Sequence, residues 1–237
     1  LQTSQVVPTG ESPDLVQVAD FDSDGNLDFI TANANTDTLT VKLGNGAGGF
    51  EFVPATTLSG LPDADQEVAD FDGDGILDVA VSLGTETRVL LGDGTGGNWD
   101  GSFTELSPGV QSTGGLEGLR IVTGHFNGDA LLDLAITDAV GNLNVFPGNG
   151  DGTFGSFSED IAVVPSTKVI ADIITADFNE DGALDFALAV RNNSASSGEL
   201  AILLGNKTGA TADGTFASPV FYAMGSNPND LVEGDFN

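Results

Sequence analysis

One short acidic pattern recurs along this chain and constrains what it can fold into more than any other feature. Ala19-Asp-Phe-Asp-Ser-Asp-Gly-Asn-Leu-Asp28 returns as Ala69-Asp-Phe-Asp-Gly-Asp-Gly-Ile-Leu-Asp78, as Gly124-His-Phe-Asn-Gly-Asp-Ala-Leu-Leu-Asp133 and as Ala176-Asp-Phe-Asn-Glu-Asp-Gly-Ala-Leu-Asp185. A stub, Gly234-Asp-Phe-Asn237, follows. The first loop positions, 20, 70, 125, 177 and 235, are 50, 55, 52 and 58 residues apart. A glycine-rich marker trails each complete copy in phase, from Gly44 to Phe50, Gly92 to Phe103, Gly148 to Phe154 and Gly205 to Phe216. Self-similarity at such a period marks a repeat architecture, whose units must stack on one another to cover their faces.

Between the markers the chain reads as strands. Residues 27–33, 39–43, 89–91, 143–146 and 200–204 are short β-prone runs, and 16–18 and 50–53 add an inner and an outer strand to the first unit. Gly, Asn and Asp punctuate these runs, and no helical periodicity is sustained. About four strands per fifty residues is one blade of a β-propeller. The expected fold is therefore all-β: a single propeller of four-stranded blades, with approximate repeats 1–50, 51–103, 104–154, 155–216 and a partial 217–237. Phe21 and Phe236 are equivalent and 215 residues apart, so the final segment restarts the unit that opens the chain. That duplication is expected of an excerpt, about four and a half blades of a larger ring. Strand edges left open at the two ends could instead pair with neighbouring chains.

Charge narrows the partners. There are 36 Asp and Glu against 6 Lys and Arg, a formal charge of -30. Such a surface does not suit nucleic acid, whose binding rests on Lys and Arg displacing counterions, nor anionic lipid. No apolar run reaches the roughly 18 residues of a membrane span. Acidity of this degree signals disorder only where hydrophobicity is low; here 40% of residues are hydrophobic and 15 are Phe. The chain should fold, and its carboxylates need a counter-charge, for which a divalent cation is the obvious source. With no cysteine, disulfides and thiolate metal sites are excluded.

The loops offer oxygen at positions one, three, five and nine, as calcium prefers, since it takes six to eight oxygen ligands in a flexible shell. Glycine at position six permits a turn closed to residues with a Cβ. Position seven would offer its backbone carbonyl, leaving its side chain free. An EF-hand would need a bidentate Glu at position twelve, where this chain has Thr31, Val81, Ile136 and Leu188. A metal-free Asx turn is the plainer reading of Asp, Asn and Gly. It does not account for four carboxylates drawn together, which repel by about 4 kcal/mol per pair at 4 Å and an effective dielectric near 20. The Phe at position two (Phe21, Phe71, Phe126, Phe178, Phe236) is expected to anchor each loop in the core between blades.

These units resemble the FG-GAP/VCBS family of calcium-binding propeller repeats, the type also seen in the head of integrin α subunits. The resemblance covers essentially the whole chain. It implies a propeller, commonly seven-bladed, with calcium in the loop joining the first two strands of a blade, and a role in adhesion, ligand binding or extracellular assembly. Carried over, loop one offers Asp20, Asp22, Asp24, Asp28 and the carbonyl of Asn26; loop two offers Asp70, Asp72, Asp74, Asp78 and the carbonyl of Ile76; loop four offers Asp177, Asn179, Asp181, Asp185 and the carbonyl of Ala183. Loop three departs from the family pattern, with His125 for the first Asp and Ala130 for the glycine. Only Asn127, Asp129 and Asp133 remain there, so a weak or empty site is expected. The fifth loop offers Asp235 and Asn237 and then stops.

His125, the single histidine, has no nucleophile motif beside it and reads as vestigial. Trp99 could stack on a sugar, but packing is the better expectation. Asn192-Asn-Ser194 and Asn206-Lys-Thr208 match the glycosylation pattern, which is a frequent one. The functional expectation is a non-enzymatic, secreted or cell-surface module, calcium-stabilised, for adhesion, ligand binding or structural assembly. Its partner would be an unidentified protein or glycan. The alternative is the propeller of a polysaccharide-active enzyme or a lectin-like glycan binder.

Overall fold

The computed structural model describes residues 6–58, 65–83, 86–107, 110–111, 120–156, 159–192 and 197–234, and these form antiparallel sheets without a helix. In blade one, β1 (Pro13–Ala19), β2 (Asp28–Asn33), β3 (Thr38–Gly44) and β4 (Phe50–Phe52) lie in chain order, with β5 (Thr56–Thr57) also on β3. Blade two runs from β6 (Gln66–Ala69) through β7 (Asp78–Ser82) to β8 (Glu86–Thr95), which pairs both β9 (Asn98–Glu105) and β10 (Val110–Gln111). Blade three is β11 (Ile121–Gly124), β12 (Asp133–Thr137), β13 (Asn142–Phe146) and β14 (Glu159–Ala162). Blade four starts with β15 (Lys168–Ala176), β16 (Asp185–Asn192) and β17 (Gly198–Leu203). A separate hairpin of β18 (Gly205–Thr208) and β19 (Thr211–Phe216) precedes its outermost strand, β20 (Val220–Met224).

The arrangement is that of a β-propeller with four blades, as the repeat implied. The first strands β1, β6, β11 and β15 touch in succession. They line a cavity of about 400 Å3 through Gln17, Glu67, Val122 and Ile174, which all stand three residues before the first loop position. The sheets are phased later than the repeat marks. Each outermost strand falls after its glycine marker, so residues 220–224 complete blade four rather than start a new unit.

The core lies between blades. Successive side chains of a strand point to opposite faces, and the central strands are apolar on both. Val79 and Val81 of β7 pack with Ile30, Ala32, Leu39 and Val41 of blade one, while Ala80 faces Leu134 and Ile136 of blade three. Blades three and four close over Leu143, Val145, Phe186, Leu188 and Leu203. The expected Phe anchors hold in three loops. Phe21 rests against Trp99 and Phe103 of the next blade, Phe71 against Phe154, and Phe126 against Phe186 and Phe216. Phe178 does not follow them and is 42% exposed. Its three counterparts are each covered by the following blade, and no complete blade follows the fourth among the described residues. Phe236 lies outside the described residues.

At the axis, side chains on or just before the first strands bond to the following blade or, from Asp172, to the segment after blade four. The Asp65 carboxylate accepts from the Ile121 amide at 2.8 Å, the Arg120 Nε donates to the Ala171 carbonyl at 2.8 Å, and the Asp172 carboxylate accepts from the Leu231 amide at 2.6 Å. Glu67 spans three blades, accepting from Gln17 Nε2 at 2.8 Å and from the Thr123 hydroxyl at 3.2 Å.

Candidate metal centres

Each acidic loop joins the first two strands of its blade, and its backbone curls because particular residues accept left-handed conformations. Position six does so in loops one, two and four, at Gly25, Gly75 and Gly182, with φ of 87, 88 and 90°. Position four does so too, at Ser23, Gly73, Gly128 and Glu180, with φ between 58 and 77°. The second left-handed position went unread in the sequence, because Ser23 and Glu180 stand there beside Gly73 and Gly128 and hide a single backbone demand. Loop three has Ala130 at position six, which keeps an ordinary φ, so its path differs.

The first and fifth aspartates order the turn. In loop one the Asp24 and Gly25 amides donate to the Asp20 carboxylate at 3.1 and 2.9 Å, and the Asn26 amide donates to Asp24 Oδ1 at 2.7 Å. Loop two repeats this with Asp70 accepting from Asp74 and Gly75, and Asp74 from Ile76. Loop four repeats it with Asp177 accepting from Asp181 and Gly182, and Asp181 from Ala183. Position seven is not left free: Ile76 and Ala183 are buried beneath their loops.

The ninth aspartates, Asp28, Asp78, Asp133 and Asp185, are at most 1% exposed. Each accepts at least two backbone bonds, one from the Phe at position two and one from the marker glycine. For Asp28 these come from Phe21 and Gly44, both at 2.7 Å, and for Asp78 from Phe71 and Gly92 at 2.7 and 2.8 Å. Loops three and four do the same through Phe126 and Gly148, and through Phe178 and Gly205.

Among the described residues, two groups bring three carboxylates within 4.8 Å of one another: Asp20, Asp22 and Asp28, and Asp70, Asp72 and Asp78. Their environment disfavours the charge they carry. Burial pushes the Asp22 and Asp72 carboxyls upward, and neighbouring carboxylates add to it, Asp24 foremost for Asp22 and Asp74 for Asp72. Burial likewise raises Asp78 to about 6 despite the opposing amides of Gly92 and Phe71. An all-oxygen donor set that repels itself fits a hard divalent cation. Asp24 and Asp74 and the carbonyls of Asn26 and Ile76 are the remaining expected donors of these loops.

Loops three and four depart from this. In loop three the His125 Nδ1 lies 2.8 Å from the Leu131 carbonyl, so the imidazole joins positions one and seven directly. Asn127 Nδ2 donates to Asp129 at 2.9 Å and to Asp133 at 3.3 Å, so side-chain amide protons stand where a cation would otherwise be needed. In loop four Asn179 stands where Asp22 and Asp72 stand, and the Lys207 ammonium donates to the Asp181 carbonyl. Asp235 and Asn237 lie outside the described residues, as does most of the Asn192 glycosylation pattern. Trp99 is 8% exposed, stacks with Phe21 and Phe103, and donates its Nε1 to the Ser102 carbonyl, which makes it a core residue.

A family model of FG-GAP-like repeats matches residues 20–81 and 125–188, each stretch starting at the first position of an acidic loop. No curated protein matches the chain. Among solved structures, an Agrocybe aegerita lectin that recognises non-reducing terminal N-acetylglucosamine is 19% identical, with a TM-score of 0.53 over 89% of this chain and 51% of that one. BBS1N, solved in complex with ARL6DN, is 11% identical, with a TM-score of 0.51 over 94% of this chain and 61% of that one. The chain thus spans 51% and 61% of these structures, and at such identities the likeness is one of fold.

Proposed function

The chain belongs to the family of FG-GAP-like repeat proteins, and on that premise we propose that it is a calcium-stabilised, non-enzymatic propeller module acting in adhesion, ligand binding or structural assembly outside the cell. The observation that carries the calcium reading is the convergence of three carboxylates within 4.8 Å in both loop one and loop two. Asp20, Asp22, Asp24 and Asp28 would hold one ion, and Asp70, Asp72, Asp74 and Asp78 another. Calcium there supplies charge neutralisation: it offsets the repulsion among carboxylates that the turn itself holds together. The loops sit between blades, since the Ser23 hydroxyl donates to the Gly97 carbonyl of blade two and the Gly152 amide of blade three donates to the Phe71 carbonyl. A filled loop would therefore stiffen a blade interface as well as its own turn. Extracellular modules can rely on weak sites, of order 0.1–1 mM, where calcium is abundant.

A larger ring is part of the same proposal, supported by the exposed Phe178 where its three counterparts are covered. The partner is a protein or a glycan. Likeness of fold to a lectin supports the glycan arm, and a glycan array tests it. Turnover in a polysaccharide depolymerisation screen would sink the non-enzymatic reading. The calcium reading is tested by thermal unfolding with millimolar calcium and again with excess chelator. A ligand at about ten times its Kd stabilises by about 1.4 kcal/mol per site, so two loops should give a titratable rise in Tm. An unchanged Tm with no metal retained would leave the loops as turns only.

A further inference from the structure

Loop four contains a cation that the chain itself supplies. Two residues after the marker glycine, blades one to three have a second glycine, Gly46, Gly94 and Gly150, whereas blade four has Lys207. Gly46 and Gly150 have φ of 66 and 74°, which favours glycine, and a Cβ at Gly94 would stand 2.1 Å from the Asn98 carbonyl oxygen; position seven adds to the crowding at all three. A Cβ at Gly46 would stand 2.3 Å from Asn26 Oδ1, at Gly94 2.8 Å from Ile76 Cδ1, and at Gly150 2.7 Å from Leu131 Cδ2. In each case the crowding side chain is that of loop position seven. In loop four position seven is the small Ala183, and a side chain can enter beside it. Lys207 does. Its ammonium donates to the Asp181 carbonyl and lies 3.9 Å from Asp181 Oδ1, with 21% of the side chain exposed. It is one of only 6 cationic side chains set against 36 acidic ones, so its placement on this loop is selective.

We propose that Lys207 is a tethered cation of loop four that competes with calcium. The chain then has two strong calcium loops, one and two, and a lysine-held loop four that takes calcium weakly. This rests on the calcium reading of loops one and two given above. A fixed positive charge beside the fifth-position carboxylate repels an incoming divalent ion, and Asn179 removes one of the negative charges that would attract it. The ammonium is a compact point charge on a flexible stem, so it can hold the turn without metal and can be displaced from it. Loop four thus stays ordered at calcium levels that leave loops one and two empty.

Calcium binding to the intact chain and to Lys207→Met, followed by titration calorimetry and equilibrium dialysis, tests this. The wild-type chain should bind two ions tightly and a third at least tenfold more weakly. Lys207→Met should tighten the third at least tenfold, and adding Asp177→Asn to that variant should abolish the gain. Melting gives a second readout with a change of sign: Lys207→Met should lower Tm in chelator and raise it at saturating calcium. Three equally tight ions in the wild type, or an unchanged third site in Lys207→Met, overturns the proposal and leaves calcium at loops one and two standing. Binding of no calcium by either protein overturns both.

Discussion

The aspartate at the ninth loop position has two roles, and only one of them involves a metal. Asp78 is fully buried and accepts from the Phe71 and Gly92 amides, so it joins the loop to the marker glycine within the third strand of its blade. Replacing Asp78 with Ala strands those two amides, and a buried donor left unpaired costs about 1–3 kcal/mol. Asp78→Ala should therefore lose about 3 kcal/mol or more in chelator, and more again in calcium, where a ligand is lost as well. Asp74 is exposed and bonds only within its loop, so Asp74→Asn should lower stability in calcium and leave it unchanged in chelator. Urea unfolding of both variants, each with and without calcium, checks this; equal losses from Asp74→Asn in the two conditions would count against a metal role. The same logic explains why Asp133 persists in loop three, where His125 has replaced the first ligand. From the sequence alone Asp133 reads as the remnant of a metal site, because a carboxylate serving amides and one serving a cation leave the same letter. The two left-handed positions were unequally legible for a related reason. Glycine at position six announces its φ, but Ser23 and Glu180 at position four do not.

Between elements, what a side chain does depends on the blade beside it. Phe126 is 2% exposed and meets Phe186 and Phe216 of blade four at ring-centre distances of 4.8 and 6.1 Å. Emptying that site, Phe126→Ala, should cost about 3–5 kcal/mol. Phe178 holds the same place in the repeat but is 42% exposed, and Phe178→Ala should cost less than about 1 kcal/mol in this chain. Equal losses by chemical denaturation would mean that Phe178 is covered in solution, by further blades or by a second copy. The repeat made all five Phe residues look alike because periodicity records a unit and not its neighbours. The strands were legible for the opposite reason: each is set by local punctuation and alternation within one unit. Blade phase was harder to read. The glycine marker is a strong local signal that lies inside the blade, and the outermost strands beyond it, such as Thr56–Thr57 and Val110–Gln111, are too short to announce themselves.

On the scale of the whole molecule, a formal charge of -30 acts in two ways that salt can separate. Charges spread over the surface repel one another and destabilise the compact state. Simple salt screens them, because the Debye length is about 10 Å at 0.1 M and about 3 Å at 1 M. The carboxylates of loops one and two lie within 4.8 Å of one another and are partly buried, where mobile ions screen them poorly. In chelator, then, Tm should climb as NaCl rises from about 0.02 M to about 0.5 M, reporting relief of the diffuse repulsion. Millimolar calcium should add a further rise at both salt levels, one that magnesium reproduces poorly, because magnesium demands a near-ideal octahedral shell and gives up its water reluctantly. The loss of the calcium increment in Asp24→Asn with Asp74→Asn, with the salt increment kept, would locate it in loops one and two. If about 0.5 M NaCl alone brought the chelated protein to its calcium-bound Tm, the acidic loops would be feeling general screening. The regular return of that loop every fifty or so residues would then report a turn that propeller blades need for their geometry, with the ninth aspartate's two amide bonds as its cause.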